Sequence, residues 1–198
     1  MIRMADNPFD EFHETRAAKE AADKTPPIWA EAGAWDEAAI PTRPWLAPGY
    51  AMRGAVTVVS GPGSAGKSML IVAWTAAMAM GHDCHRMRPT GHLKILTYNT
   101  EDDAHEQQRR YSATLRQFNA TPADLSGRII RVGPSSIGTL LRRDPDTDRI
   151  VFTPAMDALE ALITKERPDI VVLDPLVELH DCDENDNMSL RAVMARFR

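Results

Sequence analysis

The sequence has few cysteines and no long apolar run, and each of these absences excludes a class of protein. Its 198 residues include two cysteines, Cys84 and Cys182, which lie far apart and suggest no disulfide framework. The longest apolar stretch, at residues 69–80, is too short to span a bilayer. The first residues contain no apolar run of the kind that marks a secretory signal. We therefore expect a cytoplasmic protein with free thiols.

The chain also lacks an excess of positive charge. It has 23 Lys and Arg against 28 Asp and Glu, a net charge of −5. Residues 1–40 hold four basic and nine acidic residues and account for all of it. Composition therefore indicates no nucleic-acid surface. We interpret residues 1–40 as an acidic, flexible N-terminal arm with one helical stretch at 14–23 and residues 41–198 as one domain. The domain is entered through a proline-rich extended segment at 41–50, in which we expect neither a helix nor a strand.

Short β-branched runs alternate with helical segments after this point. Strands are predicted at residues 55–60, 94–99, 128–132 and 170–173. Helices are predicted at residues 67–80, 101–118 and 154–166, with a hairpin within residues 138–153. Gly81 is suited to end the first helix and Pro154 to begin the last. Strands that alternate with helices form a parallel sheet covered by helices, so the sequence predicts an α/β fold.

A phosphate-binding motif lies between the first predicted strand and the first predicted helix. It matches G-x-x-x-x-G-K-[ST] at every fixed position, with Gly61, Pro62, Gly63, Ser64, Ala65, Gly66, Lys67 and Ser68. In such a loop backbone N–H groups and the helix N-terminus hold phosphates, and glycine allows the backbone to approach closely. Lys67 is predicted to reach the β- and γ-phosphates, Ser68 to bind Mg²⁺, and Met69 to extend the nucleotide site. The alternative is a glycine-rich loop that binds nothing.

Acidic residues follow two of the predicted strands, at the edge where a parallel sheet binds its ligand. Asp174 ends the strand at residues 170–173 and is predicted to hold Mg²⁺ together with Ser68. Glu101 follows the strand at residues 94–99 and is a candidate general base for the attacking water. The residues alone leave a second interpretation open, in which the acids at positions 101–103 only cap the next helix.

Three segments together resemble RecA-like ATPases of the AAA family, the group that includes RepA-type plasmid replicative helicases. They are residues 43–68, TYNTEDD at 97–103 followed by Arg109 and Arg110, and VVLDPLVELHDCDEND at 171–186. The resemblance covers about residues 41–198 and implies a three-layer P-loop NTPase fold with a mainly parallel central sheet. It also implies site residues: Glu101 as the catalytic carboxylate, Asp174 as the Walker B acid, His180 and Asn185 near the γ-phosphate or a subunit contact, and Asp102 as a further candidate.

The resemblance implies a function as well as a fold. It points to an ATP-binding and hydrolysing module of a plasmid- or phage-type replicative helicase, which works as a homo-oligomeric ring, a hexamer, with single-stranded DNA as partner. Relatives of this kind continue with further core strands, so we expect a fragment whose sheet is incomplete on its C-terminal side. Two alternatives stay open: an ATP-binding regulatory fragment that does not hydrolyse the nucleotide, and a P-loop kinase for a small molecule.

One further segment contains metal-ligating residue types. His82, Cys84, His85 and His92 lie between the first helix and the second strand. Histidine and cysteine are the usual ligands of zinc, but this spacing fits no familiar zinc finger. We favour an ordinary surface loop over a zinc site here.

Overall fold

The computed structural model describes residues 33–133 and 138–181. The chain divides into two compact units, Met1–Pro41 and Thr42–Arg198. The described part of the first unit contains a 3₁₀ turn at Glu37–Ala39, begun by the Asp36 carboxylate, which accepts a hydrogen bond from the N–H of Ala38. The helix predicted at residues 14–23 lies outside the described residues.

The second unit contains seven strands and three α-helices within the described residues. In chain order they are β1 (Trp45–Ala47), β2 (Ala51–Met52), α1 (Lys67–Met80), β3 (Ile95–Asn99), α2 (Ala104–Gln117), β4 (Ile129–Val132), β5 (Leu141–Arg143), β6 (Ile150–Phe152), α3 (Pro154–Glu166) and β7 (Ile170–Asp174). Short 3₁₀ turns occupy Pro122–Leu125 and Leu176–Leu179. None of the helices in this part of the chain has the length and hydropathy needed to cross a membrane.

A parallel sheet in the order β4-β3-β7 forms the centre of this unit. Side chains of β3 alternate between its two faces, as a strand requires. Ile95 packs into a core with α1 and α2, whereas Leu96 and Tyr98 pack into a second core with α3 and the antiparallel β5–β6 hairpin. The result is three layers around a parallel sheet, which confirms the predicted α/β P-loop class.

The helix boundaries follow from local signals. α1 ends where predicted because Gly81 adopts a left-handed conformation (φ 69°) and its N–H donates hydrogen bonds to the carbonyls of Ala77 and Met78. α2 begins three residues later than predicted, at Ala104, because the Asp103 carboxylate accepts a hydrogen bond from the N–H of Glu106. Of the three acids at positions 101–103, Asp103 is therefore the helix cap, and the other two precede the helix.

The prediction of an extended segment without strands at residues 41–50 was wrong. β1 and β2 pair as an antiparallel hairpin. Pro48 and Gly49 form its turn. The turn is closed by a hydrogen bond of 2.9 Å that the N–H of Tyr50 donates to the carbonyl of Ala47. Gly49 has a φ of 78°, which suits glycine at the third position of a turn whose second position is proline. The prolines thus specify a turn and leave short strands on either side.

The strand predicted at residues 55–60 is also absent from the described structure. None of these six residues pairs with a described strand, and Val56 and Val58 are 42% and 61% exposed. Their β-branched side chains favour an extended backbone, but a strand also requires a neighbour to complete its hydrogen bonds. Among the described strands β7 pairs with β3 on one edge, and its other edge has no ladder partner.

Candidate functional site

The phosphate-binding motif connects the extended segment at residues 55–60 to α1. Its residues 61–66 are exposed, and Gly66 precedes the helix in a left-handed conformation (φ 81°). No described side chain caps this helix end, and the first intrahelical bond is donated by Leu70 to the carbonyl of Gly66 at 3.0 Å. The N–H groups of the first turn are therefore available to an anion, and the helix dipole favours one there.

Lys67 lies across the loop that it follows. Its Nζ donates hydrogen bonds to the carbonyl of Gly61 at 2.9 Å and to the carbonyl of Pro62 at 2.8 Å. The ammonium group is thus held on the same short loop whose N–H groups are suited to phosphate. Met69, which follows the motif directly in the first turn of α1, is 41% exposed.

Beneath the first turn of α1 is a cavity of about 30 Å³, between α1, α2 and the carboxyl ends of β3 and β7. Ser68, Asp102 and Asp174 all line it, together with Asn99 at the end of β3. By volume it admits about two waters or one cation with a water. A hydroxyl and a carboxylate supply oxygen ligands of the kind that Mg²⁺ prefers, so Ser68 and Asp174 fit the predicted ion. The structure thus brings together three residues that the sequence had placed in the site.

Asp102 is the buried acid of this cavity. It is 7% exposed and forms an ion pair with Arg110 of α2, with 2.8 Å between Oδ2 and Nη1. Burial raises the pKa of Asp102, the Arg110 guanidinium lowers it in part, and the carboxylates of Glu106 and Asp174 raise it further.

Glu101 lies outside the cavity lining. Its side chain is exposed, and its N–H donates to the Asn99 side-chain oxygen at 3.0 Å. The residue follows the carboxyl end of β3, directly beside the lining residue Asp102. Its assignment as general base stays a prediction.

Two other residues, His180 and Asn185, were predicted near the γ-phosphate or a subunit contact, and His180 is not among the residues that line this cavity. His180 is 7% exposed and forms a backbone bridge with Leu141 of the β5 strand, on the side of the sheet that faces α3. Asn185 lies outside the described residues. The histidines and the cysteine at positions 82–92 form no cluster suited to a metal ion within residues 33–133 and 138–181, and Cys84 is buried there in a tight turn with Met87.

Sequence reasoning missed a group of buried polar residues that line the far side of the cavity. Tyr111 of α2 shares a 2.9 Å hydrogen bond with Thr75 of α1, and Gln107 donates from Nε2 to the carbonyl of Asp102 at 3.0 Å. Tyr111 and Gln107 occupy positions of α2 that the sequence assigns only to a helix. A local signal did exist for Asn99, because asparagine just before a helix tends to bond backbone N–H groups that follow it.

A family model described as AAA domain matches residues 20–198, and the chain belongs to this family. No curated protein matches the chain. Proteins of the AAA family are P-loop ATPases that bind ATP with Mg²⁺. The chain is therefore a nucleotide-binding ATPase module.

Proposed function

We propose that this AAA-family chain is the ATP-binding and hydrolysing module of a plasmid- or phage-type replicative helicase. The observation that supports hydrolysis best is the meeting of Ser68, Asp102 and Asp174 around one cavity beneath the phosphate loop. The helicase assignment is supported by the order of the three sequence segments that resemble RepA-type proteins.

In the proposed mechanism each residue has one task. The N–H groups of the loop and of the first turn of α1 hold the phosphates, and Lys67 exchanges its two loop carbonyls for phosphate oxygens. Ser68 and Asp174 would hold Mg²⁺, which would supply positive charge to neutralise that of the phosphates. Glu101 accepts a proton from the attacking water.

The partners of the module follow from the same proposal. We expect a homo-oligomeric ring, a hexamer, in which nucleotide lies between neighbouring copies, and single-stranded DNA that stimulates turnover. The neutral charge balance of residues 41–198 argues against a strong general attraction to DNA, so contact with DNA would depend on local groups.

Steady-state ATP hydrolysis with Mg²⁺ tests the assignment of the base. We expect Glu101→Gln to lower kcat by about 100-fold or more while ATP binding persists, because general bases contribute on this scale. Lys67→Ala should abolish ATP binding. Turnover of Glu101→Gln at the wild-type rate would contradict the assigned role, whatever the behaviour of Lys67→Ala.

Single-stranded DNA tests the helicase part separately. Turnover should rise when single-stranded DNA is added, and the mass in solution with ATP should correspond to a ring. A monomer whose turnover ignores DNA would reject the helicase assignment and leave the ATPase assignment standing.

A non-hydrolysing ATP-binding regulator is the second candidate. The exposed position of Glu101, outside the cavity lining, favours it. It predicts ATP binding that Lys67→Ala removes, together with wild-type turnover no faster than that of Lys67→Ala.

A further inference from the structure

Glu101 lies in a four-residue connection between β3 and α2 that is held from the side of β3. The Asn99 side-chain oxygen accepts hydrogen bonds from the N–H of Glu101 at 3.0 Å and from the N–H of Asp102 at 2.6 Å. The N–H of Thr100 donates to the carbonyl of Asp174 at 3.0 Å. The backbone on which Glu101 stands is therefore tied both to its own strand and to the end of β7.

The same connection is held from the side of α2. The Asp102 side chain is 9% exposed and is paired with Arg110, whose Nε also lies 3.2 Å from Glu106. Gln107 donates to the carbonyl of Asp102. A Cβ at Gly133 would lie 3.1 Å from the Gln107 amide nitrogen, so the glycine leaves room for this contact. Asp102 is thus fixed through both its side chain and its carbonyl.

The hydrogen bonds that hold the backbone of this connection matter because the Glu101 side chain is exposed. Glu101 has an exposed side chain, so packing does little to orient it. The reach of its carboxylate then depends on where the connection places its Cα. A displacement of about 1 Å of a reacting group can cost about 100-fold in rate.

We propose that Asn99, Asp102 and Arg110 are positioning residues that set where Glu101 stands relative to the phosphate loop. The proposal rests on the proposed function, in which Glu101 is the base. Asn99 fixes the start of the connection, and the Asp102–Arg110 ion pair fixes its end. None of the three accepts the proton of the attacking water itself.

Substitution of Arg110 tests the proposal in the full chain. We expect Arg110→Met to lower kcat by about 10- to 100-fold while the Kd for ATP with Mg²⁺ changes less than about threefold, because the phosphate loop is untouched. Arg110→Lys keeps a cation near Asp102 and should recover most of the rate. Asn99→Ala, which removes the acceptor at the other end, should lower kcat in the same way.

Arg109→Met is the matched control. Arg109 is the adjacent residue of α2, its side chain is 70% exposed, and it contacts Glu106 without reaching Asp102 among its described contacts. We expect this variant to retain the wild-type kcat. Equal losses in Arg109→Met and Arg110→Met, or a wild-type kcat in Arg110→Met, would overturn the proposal.

Two further measurements separate this proposal from the assignment of the base. If Glu101→Gln lowers kcat by about 100-fold or more while Arg110→Met keeps the wild-type kcat, only the positioning role fails; if Glu101→Gln turns over normally, the proposed function fails. Amide hydrogen exchange measures local opening of the connection between β3 and α2, independently of turnover. Exchange at residues 100–102 should speed up at least about 10-fold in Arg110→Met and stay unchanged in Arg109→Met, and unchanged exchange in Arg110→Met would overturn the proposal.

Discussion

Asp169 precedes β7 directly and joins it to Lys94, the residue just before β3. Its carboxylate accepts a hydrogen bond from the N–H of Lys94 at 3.0 Å and from Arg53 at 2.8 Å. Its own N–H donates to the carbonyl of Lys94 at 2.7 Å. The N–H of Lys94, followed by the Arg53 guanidinium, holds the pKa of Asp169 below its ordinary value of 3.8. Its carboxylate therefore stabilises the fold most when it is ionised.

This stabilisation predicts a pH-dependent effect of Asp169→Asn. We expect the variant to lose about 1–2 kcal/mol of unfolding free energy at neutral pH, since a charged acceptor is replaced by a neutral one. Because the folded pKa is lowered, the loss should stay constant above about pH 5 and shrink as the pH falls below the ordinary value of 3.8. Urea unfolding of both proteins across this pH range measures the loss of unfolding free energy. Glu160→Gln, an exposed change on α3, should show no such trend.

Residues of the phosphate loop were predictable because their roles are set by local sequence. Gly66 and Lys67 form a loop and a helix start wherever the rest of the fold lies, and the structure shows both. Asp102 was harder to place. Its neighbours in sequence, Glu101 and Asp103, are also acids, and only the arrival of α2 with Arg110 decides which of the three is buried.

At the scale of elements, β3 has the most buried position. Leu96 is fully buried and lies in the core beneath α3. We expect Leu96→Ala to cost about 2–5 kcal/mol of unfolding free energy, because a cavity remains in a strand that is flanked on both edges. The matched change Val58→Ala, at a residue that is 61% exposed, should cost less than about 0.5 kcal/mol. Equal losses in urea unfolding would show that residues 55–60 are buried in solution.

Helix limits set by local signals were predicted correctly, whereas the two errors concern segments whose structure depends on a pairing partner. α1 and α3 keep their predicted limits, because a glycine ends the one and a proline begins the other. The β1–β2 hairpin was missed, because its two- and three-residue strands exist only through pairing with one another. The run at residues 55–60 has the composition of a strand, yet the described residues give it no partner.

At the scale of the whole domain, parallel topology brings the site together. The carboxyl ends of β3 and β7 lie side by side, with Asn99 paired to Asp174 in register. The start of α1 lies above them and contributes Ser68 to the same cavity. This meeting was predictable because ligands of open parallel sheets bind at the carboxyl ends of the strands.

The topology predicts that nucleotide and metal stabilise the fold in two separable steps. ATP with Mg²⁺ at about 100 times its Kd should add about 2.7 kcal/mol to the unfolding free energy. Lys67→Ala should lose most of this gain with or without Mg²⁺, since it removes the cation that serves the phosphates. Asp174→Asn should keep the gain that ATP gives in the presence of a chelator but gain nothing more from Mg²⁺, because its role is to hold the ion.

Thermal and urea unfolding with ATP, with and without Mg²⁺, measure both steps. Asp144→Asn is the matched control, because this acid lies in the turn between β5 and β6 and bonds backbone N–H groups of the turn. It should respond to ATP and Mg²⁺ as the wild type does. If Asp174→Asn still gained the full Mg²⁺ increment, the ion would be held elsewhere, and the cavity formed by Ser68, Asp102 and Asp174 would lose its assignment as the metal site.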